Sequence, residues 1–182
     1  MPSHSMRVSP PWRVYGGGLL QPAPFLVAGI VNITPDSFSD GGHFFSLDHA
    51  IARVRQVVAE GPHIVDLGAE STRPGAEDIG SGEEWRRLGP VLRQTLQLRA
   101  AQRFSVSIDT FRAATAAAAL SLPMDGKPGS TSGPLQGADI INDISGASFD
   151  PAMPEVLAGF KPGYVLGHSP SLPSCIHSCP KY

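Results

Sequence analysis

The sequence predicts an α/β fold, a parallel sheet covered by helices. Two observations carry this expectation. Short β-branched runs, FLVAGIV, HIVDLG, FSVSID, ADIINDI and GYVLGH, recur along the chain, and between them lie stretches whose apolar residues return at helical spacing. Strands that read as near-continuous apolar runs need cover on both faces, and right-handed βαβ crossovers supply it with helices. Periodicity leaves open whether such a sheet is doubly wound or closed into a barrel.

Residues 1–24 are rich in Pro and Gly and read as an irregular lead-in, with one short strand near Trp12 to Tyr15 and a turn or linker at the glycines 16–18. Residues 25–169 form the folded unit. After FLVAGIV comes the polar loop NITPDSFSDGG, then SLDHAIARVRQVVAEG, a helix with Ile51, Val54, Val57 and Val58 on one face. HIVDLG is followed by the loop ESTRPG and by GEEWRRLGPVLRQTLQL, a helix burying Trp85, Leu88, Val91 and Leu92. FSVSID leads into TFRAATAAAAL, alanine-rich and of high helix propensity. Residues 121–137, SLPMDGKPGSTSGPLQG, have the composition of a surface loop inserted away from the working face. ADIINDI, the short helix DPAMPEVLAGF and GYVLGH complete the unit, and 170–182 is an irregular tail.

The 14 Lys and Arg against 16 Asp and Glu give a formal charge of -2, so no basic field exists to draw in nucleic acid or anionic lipid. No apolar run approaches the roughly 20 residues that span a bilayer, and the first residues lack the apolar core of a secretory signal. Cys175 and Cys179 lie in the tail, where with His177 they fall short of a four-ligand metal spacing. A soluble, cytoplasmic protein is expected, with neither nucleic acid nor membrane as partner.

The informative polar residues sit where strands end: Asn32, then Glu70, Thr72 and Arg73, then Asp109, Asn142 and His168. In parallel α/β folds these ends share one rim, so residues far apart in sequence gather there. Each has a structural alternative. Asp109 could cap the following helix, Asn142 with Asp143 could form a cap or turn pair, Arg73 could make a surface salt bridge, and His168 could be a satisfied histidine. Together they favour a site. Arg73 offers a guanidinium fork suited to phosphate oxygens, with the Thr72 hydroxyl beside it. Asn32, Asp36 and Asp40 offer hard oxygens for a magnesium ion bridging to a phosphate.

GIVNITPDSFSDGG, IVDLGAESTRPGA, SVSIDTFRAATA, ADIINDISG and YVLGHS, in this order, resemble the dihydropteroate synthase family over roughly residues 25–169. The resemblance implies a TIM (β/α)8-type barrel that joins hydroxymethyl-dihydropterin diphosphate to p-aminobenzoate and releases diphosphate, with Mg2+ as cofactor. It implies that Asn32 contacts the magnesium-diphosphate, that Thr72 and Arg73 bind the leaving diphosphate, and that Asp109 and Asn142 hold the pterin. Phe38 and Pro74 resemble the walls of the aminobenzoate pocket, and Asp40 the carboxylate that orders the closed first loop. Asp109, Asp40 and Arg73 are thereby the catalytic set. Asp109 would stabilise a carbocation on the pterin methylene, which the aminobenzoate amine attacks. The partners implied are these two small-molecule substrates, with a homodimer left open.

A full eight-stranded barrel takes about 250 residues, and about five β/α units are present here. The family's later strands, with a further pterin-binding Asp, a Lys and a closing Arg and His, have no counterpart. Ala69 stands where the family commonly has Gly, and Gly167 where Met precedes the histidine. The expectation is a fragment or frameshifted product with an incomplete barrel, turning over poorly by itself. Two other readings are a methyltetrahydrofolate-binding module of a corrinoid methyltransferase and a non-catalytic pterin-binding remnant. The diphosphate-suited loops count against the first of these.

Overall fold

The computed structural model describes residues 10–21, 24–34, 46–71, 73, 76–99, 102–122, 137–169 and 171. Asp36, Phe38 and Asp40 of the first loop and Thr72 and Pro74 of the second fall outside them, as do residues 123–136 and Cys175, His177 and Cys179. Two short antiparallel strands come first, β1 (Trp12–Arg13) and β2 (Leu19–Leu20). Then follow β3 (Ala28–Asn32), α1 (Leu47–Ala59), β4 (Ile64–Gly68), α2 (Gly80–Arg99), β5 (Ser105–Asp109) and α3 (Ala113–Leu120). The order ends with β6 (Ile140–Asp143), α4 (Met153–Phe160) and β7 (Gly163–Leu166).

The main sheet runs β3-β4-β5-β6-β7, every neighbour pair parallel. A doubly wound sheet reverses its direction of growth at a switch point, whereas here each new strand joins the same edge. That is the winding of a (β/α) barrel, and this one is partial.

Register partners in neighbouring strands point to the same face, and alternate residues to opposite faces. One row, Val31–Leu67–Ile108–Ile141, is fully buried on the helix-covered face. It belongs to a core that takes in Val54, Leu88, Leu92, Ala116 and Met153 from the four helices. Each such aliphatic side chain stabilises the fold by roughly 1.5–3 kcal/mol. The helix faces anticipated from spacing are those buried, with Ile51, Val54, Val57 and Val58 in α1 and Leu88, Val91 and Leu92 in α2, while Trp85, expected with the latter, is only half-buried against the core.

The lead-in differs from expectation. Instead of one short strand it holds a hairpin, whose turn uses the positive φ of Gly16 (73°) that glycine adopts without strain. Val14 packs against Ile64 and Ile140, the first residues of β4 and β6, so the hairpin covers the N-terminal end of the sheet. Two-residue strands carry no readable period, which is why composition alone suggested irregular chain.

Helix α3 is capped by Asp150, whose Oδ2 accepts the amide of Ala113 at 2.8 Å, while Thr110 Oγ1 accepts the amide of Arg112 at 3.1 Å. The cap alternative for Asp109 is thereby answered: other side chains do that work. Beyond α3, the amide of Ala138 donates to the Ala119 carbonyl at 3.0 Å. The flanks of the 121–137 segment thus lie at the end of α3, on the side of the sheet where strands begin. Among the described residues no helix is long and apolar enough to cross a membrane.

Candidate functional site

The face of the sheet away from the helices carries a second kind of register row. At the C-terminal ends of the strands it reads Asn32–Gly68–Asp109–Asn142–Val165, one residue from each of the five strands. Two residues earlier the row is Ile30–Asp66–Ser107–Ile140–Gly163. Parallel pairing in unbroken register therefore sets three of the sequence-predicted residues, Asn32, Asp109 and Asn142, side by side on one concave face. The row below adds Asp66.

Asp66 was not singled out from sequence, although a charged residue inside the apolar strand HIVDLG is a signal that could have found it. It is only 7% exposed. Asn142 Nδ2 donates to its Oδ2 at 3.1 Å, and among the described residues its buried Oδ1 has no hydrogen-bond partner. A buried acceptor without a donor costs free energy, and a ligand that brings an N–H recovers it. Asp109 lies in the same field. Burial above all, then the nearby charges of Asp66, Glu84, Asp143 and Glu70, push its carboxyl up to about 7.

Asn142 and Asp143 divide the two roles foreseen for them. Asp143 turns to the helix side, fully buried, and its oxygens accept from Ser145 N and Oγ, Ala147 N and Tyr164 Oη at 2.7–2.9 Å. It is the turn former. Asn142 keeps its amide on the concave face. His168 is exposed after β7. Just before it, Gly167 sits so close to the end of β6 that a Cβ there would stand 2.5 Å from Ile144 Cα and 2.7 Å from the Asp143 carbonyl oxygen.

Arg73 is exposed, and among the described residues its guanidinium takes no ion pair. Its backbone is shaped by short-range bonds, Arg73 N to Ser71 Oγ at 3.4 Å and Ala76 N to Arg73 O at 3.1 Å. Glu70, placed at the rim from sequence, faces a buried cluster instead: it accepts a bidentate pair from Arg112. Glu84, fully buried, lies 3.4 Å from the same guanidinium and accepts from Thr115 Oγ1 at 2.5 Å. Burial pushes the Glu84 carboxyl up. Sequence reading missed this cluster because Glu84 and Arg112 look like ordinary charges on helix-patterned segments.

Among the described residues no group of three or more His, Cys, Asp and Glu could hold a metal ion. What the row offers is hydrogen-bond acceptors in want of donors beside an amide that both gives and accepts, with the exposed Arg73 guanidinium in the loop after the neighbouring strand. Such a surface suits a flat, N–H-bearing heterocycle that carries an anionic arm.

Comparison with known proteins agrees with that description. A family model described as Pterin binding enzyme matches residues 28–182. The chain is 43% identical over 145 residues to Dihydropteroate synthase of Bacillus subtilis, covering 79% of this chain and 45% of that protein. It is also 43% identical over 142 residues to the mitochondrial Folate synthesis bifunctional protein of Arabidopsis thaliana, covering 78% of this chain and 23% of that one. Among solved structures, dihydropteroate synthase of Xanthomonas albilineans with 4-aminobenzoic acid superposes with a TM-score of 0.72 at 33% identity, over 96% of this chain and 54% of that one. The Yersinia pestis enzyme in a sulfonamide complex gives 0.72 at 32% identity, over 92% and 55%. The chain thus spans from about a quarter to about half the length of these relatives.

Proposed function

The chain belongs to the pterin-binding enzyme family, and from that premise we propose that it carries the pterin and diphosphate sites of a dihydropteroate synthase. The reaction is the condensation of hydroxymethyl-dihydropterin diphosphate with p-aminobenzoate to dihydropteroate and diphosphate, in folate biosynthesis. One observation supports this reading above the rest: Asn32, Asp109 and Asn142 share a register row above the orphan oxygen of Asp66. An aminopyrimidinone edge presents N–H donors beside a carbonyl acceptor, the complement of two carboxylates and an amide.

In this reading Asp109 and Asn142 grip the pterin edge, and Gly68 leaves the space for it. A Cβ at Gly68 would stand 3.3 Å from Asp109 Oδ2, already closer than ordinary contact. Arg73, with Thr72, holds the diphosphate oxygens. The side chain of Asn32 is exposed at the end of β3, and its amide is a hard oxygen donor that fits Mg2+. Bound there and to the diphosphate, the ion would neutralise charge on the leaving group. The bond from the methylene carbon to the diphosphate oxygen breaks, and the Asp109 carboxylate stabilises the cation left on the pterin. The aminobenzoate amine then forms the new C–N bond and loses its proton, so the protein need supply no nucleophile. Phe38 and Pro74 wall the aminobenzoate and Asp40 orders the first loop over it, which excludes water.

Calorimetric titration with hydroxymethyl-dihydropterin diphosphate, with and without Mg2+, tests the proposal. Magnesium-dependent binding is expected. Metal-independent binding of a folate in its place would favour the methyltransferase reading, and binding of neither ligand would contradict a pterin site altogether.

Gly68→Val should reduce pterin affinity at least about tenfold, because an added isopropyl group enters the space beside Asp109. An affinity equal to wild type, measured in the same titration, would place the ligand elsewhere. Turnover is a separate matter. Ile30 and Val165 on the concave face are 61% and 41% exposed, and β3 and β7 are the two edges of the described sheet. Aminobenzoate incorporation by the purified chain alone is therefore expected to be slow or undetectable, and rapid turnover by a monomer would refute this.

A further inference from the structure

Arg112 is the most heavily engaged side chain near the site, and the reading above gives it no role. It lies three residues after Asp109, 10% exposed, with its guanidinium stacked 4.4 Å from the Phe111 ring centroid. Its two terminal nitrogens reach both ends of the loop that bears Arg73. Nη1 and Nη2 bind the Glu70 carboxylate as a pair, and Nη2 donates to Asp78 Oδ1 at 2.6 Å. Asp78 Oδ1 in turn accepts the amide of Gly80 at 2.9 Å, at the start of α2. Behind the loop, Glu84 anchors the same guanidinium from within the core.

A guanidinium fork that joins residue 70 to residue 78 holds the two ends of the span that carries Arg73. We propose that Arg112 is a positioning residue: it clamps the loop between Glu70 and Asp78, setting Arg73 for a diphosphate in register with the pterin held by Asp109. The inference rests on the functional reading above and deepens it. Because Arg112 belongs to the loop after β5 while Glu70 and Asp78 belong to the loop after β4, the clamp ties the anion subsite to the heterocycle subsite. Electrostatics alone makes the opposite forecast at one position. Removing the Asp78 carboxylate takes negative charge away from an anion site and by that effect should strengthen diphosphate binding, whereas loss of the clamp should weaken it.

Asp78→Ala and Arg112→Lys are the variants, with inorganic diphosphate plus Mg2+ and phosphate-free 6-hydroxymethylpterin as the two probes, each titrated into the full chain. Asp78 is 61% exposed, so its ion pair adds little to stability. Arg112→Lys keeps the charge among the buried carboxylates while losing the fork. Both variants should bind diphosphate about five- to tenfold more weakly and pterin as wild type does. In an Arg73→Ala background Asp78→Ala should have no further effect, since the clamp acts through Arg73. Unchanged or tighter diphosphate binding by Asp78→Ala overturns the proposal, as does a parallel loss of both probes together with a lowered melting temperature, which would mark Arg112 as merely structural. Failure of the wild-type chain to bind either probe would instead overturn the functional reading itself.

Discussion

Asp109→Asn is expected to stabilise the ligand-free chain at pH 8 and to weaken its pterin binding steeply. Burial, reinforced by the neighbouring carboxylates, raises the Asp109 carboxyl from its ordinary 3.8 to about 7. The folded state therefore holds this proton more tightly than the unfolded chain does, and the sign follows. Below about pH 4 both states are protonated and the group is neutral in effect. As pH rises from there to about 7 the unfolded chain loses the proton first, so stability falls, and above 7 the full penalty of the buried charge is present. Asparagine removes that penalty. The gain at pH 8 is at most about 4 kcal/mol by the size of the shift, and it should vanish near pH 4. The same substitution deletes the acceptor proposed for the pterin N–H donors, so affinity should fall by about a hundredfold or more. Thermal unfolding across pH, paired with the pterin titration, reads both halves. A variant less stable than wild type at pH 8 would show that the charge of Asp109 is well accommodated, contrary to the electrostatics argued above.

Asn142→Leu should show the same functional loss with the opposite effect on stability. The Asn142 amide is the donor to Asp66 Oδ2, and the other Asp66 oxygen already lacks a partner among the described residues. Leucine leaves both oxygens of a 7% exposed carboxylate without a hydrogen bond. The cost is about 1–3 kcal/mol, and more for a charged group, which for a chain of this size lowers the melting temperature by roughly 3–10 °C. Pterin affinity should fall as steeply as in Asp109→Asn. Two neighbours on one register row that share a ligand but differ in sign of stability change would be hard to produce by a general loosening of the fold. Equal stabilities for the two variants would refute the assignment of Asn142 as the partner of Asp66.

Much of this arrangement is legible before any coordinates. The runs from FLVAGIV to GYVLGH each hold one of the five parallel strands, and the apolar stripes of α1 and α2 are the buried ones. Asn32, Asp109 and Asn142 could be collected at one rim because parallel strands end on one side. What sequence alone could not supply is the register that sets which face each residue takes. Asn142 and Asp143 are adjacent and chemically alike, yet one meets the concave face and the other the helices. Asp66 was hidden by the same ambiguity, as a polar residue in an apolar run. The Arg112–Glu70–Glu84 cluster depends on contacts across 28 to 42 positions, which no local pattern encodes. The choice of Asp150 over Asp109 as the cap of α3 is likewise a tertiary fact. The roles of Phe38 and Pro74 come from the family resemblance, and those of Thr72 and Asp40 from it together with the oxygens they carry.

The central claim is a location, the concave face at the C-terminal ends of β3 to β7, and the position of a bound pterin tests it most directly. A crystal structure of the chain with hydroxymethyl-dihydropterin diphosphate should show the ring edge within hydrogen-bond distance of Asp109 and Asn142, an N–H turned to Asp66, and the diphosphate on the side of Arg73. At the other end of the sheet the hairpin, Arg99, Phe104 and Asp139 line a cleft of about 290 Å³. A pterin seated there, with the Asn32–Asp109–Asn142 row left in solvent, would contradict the account.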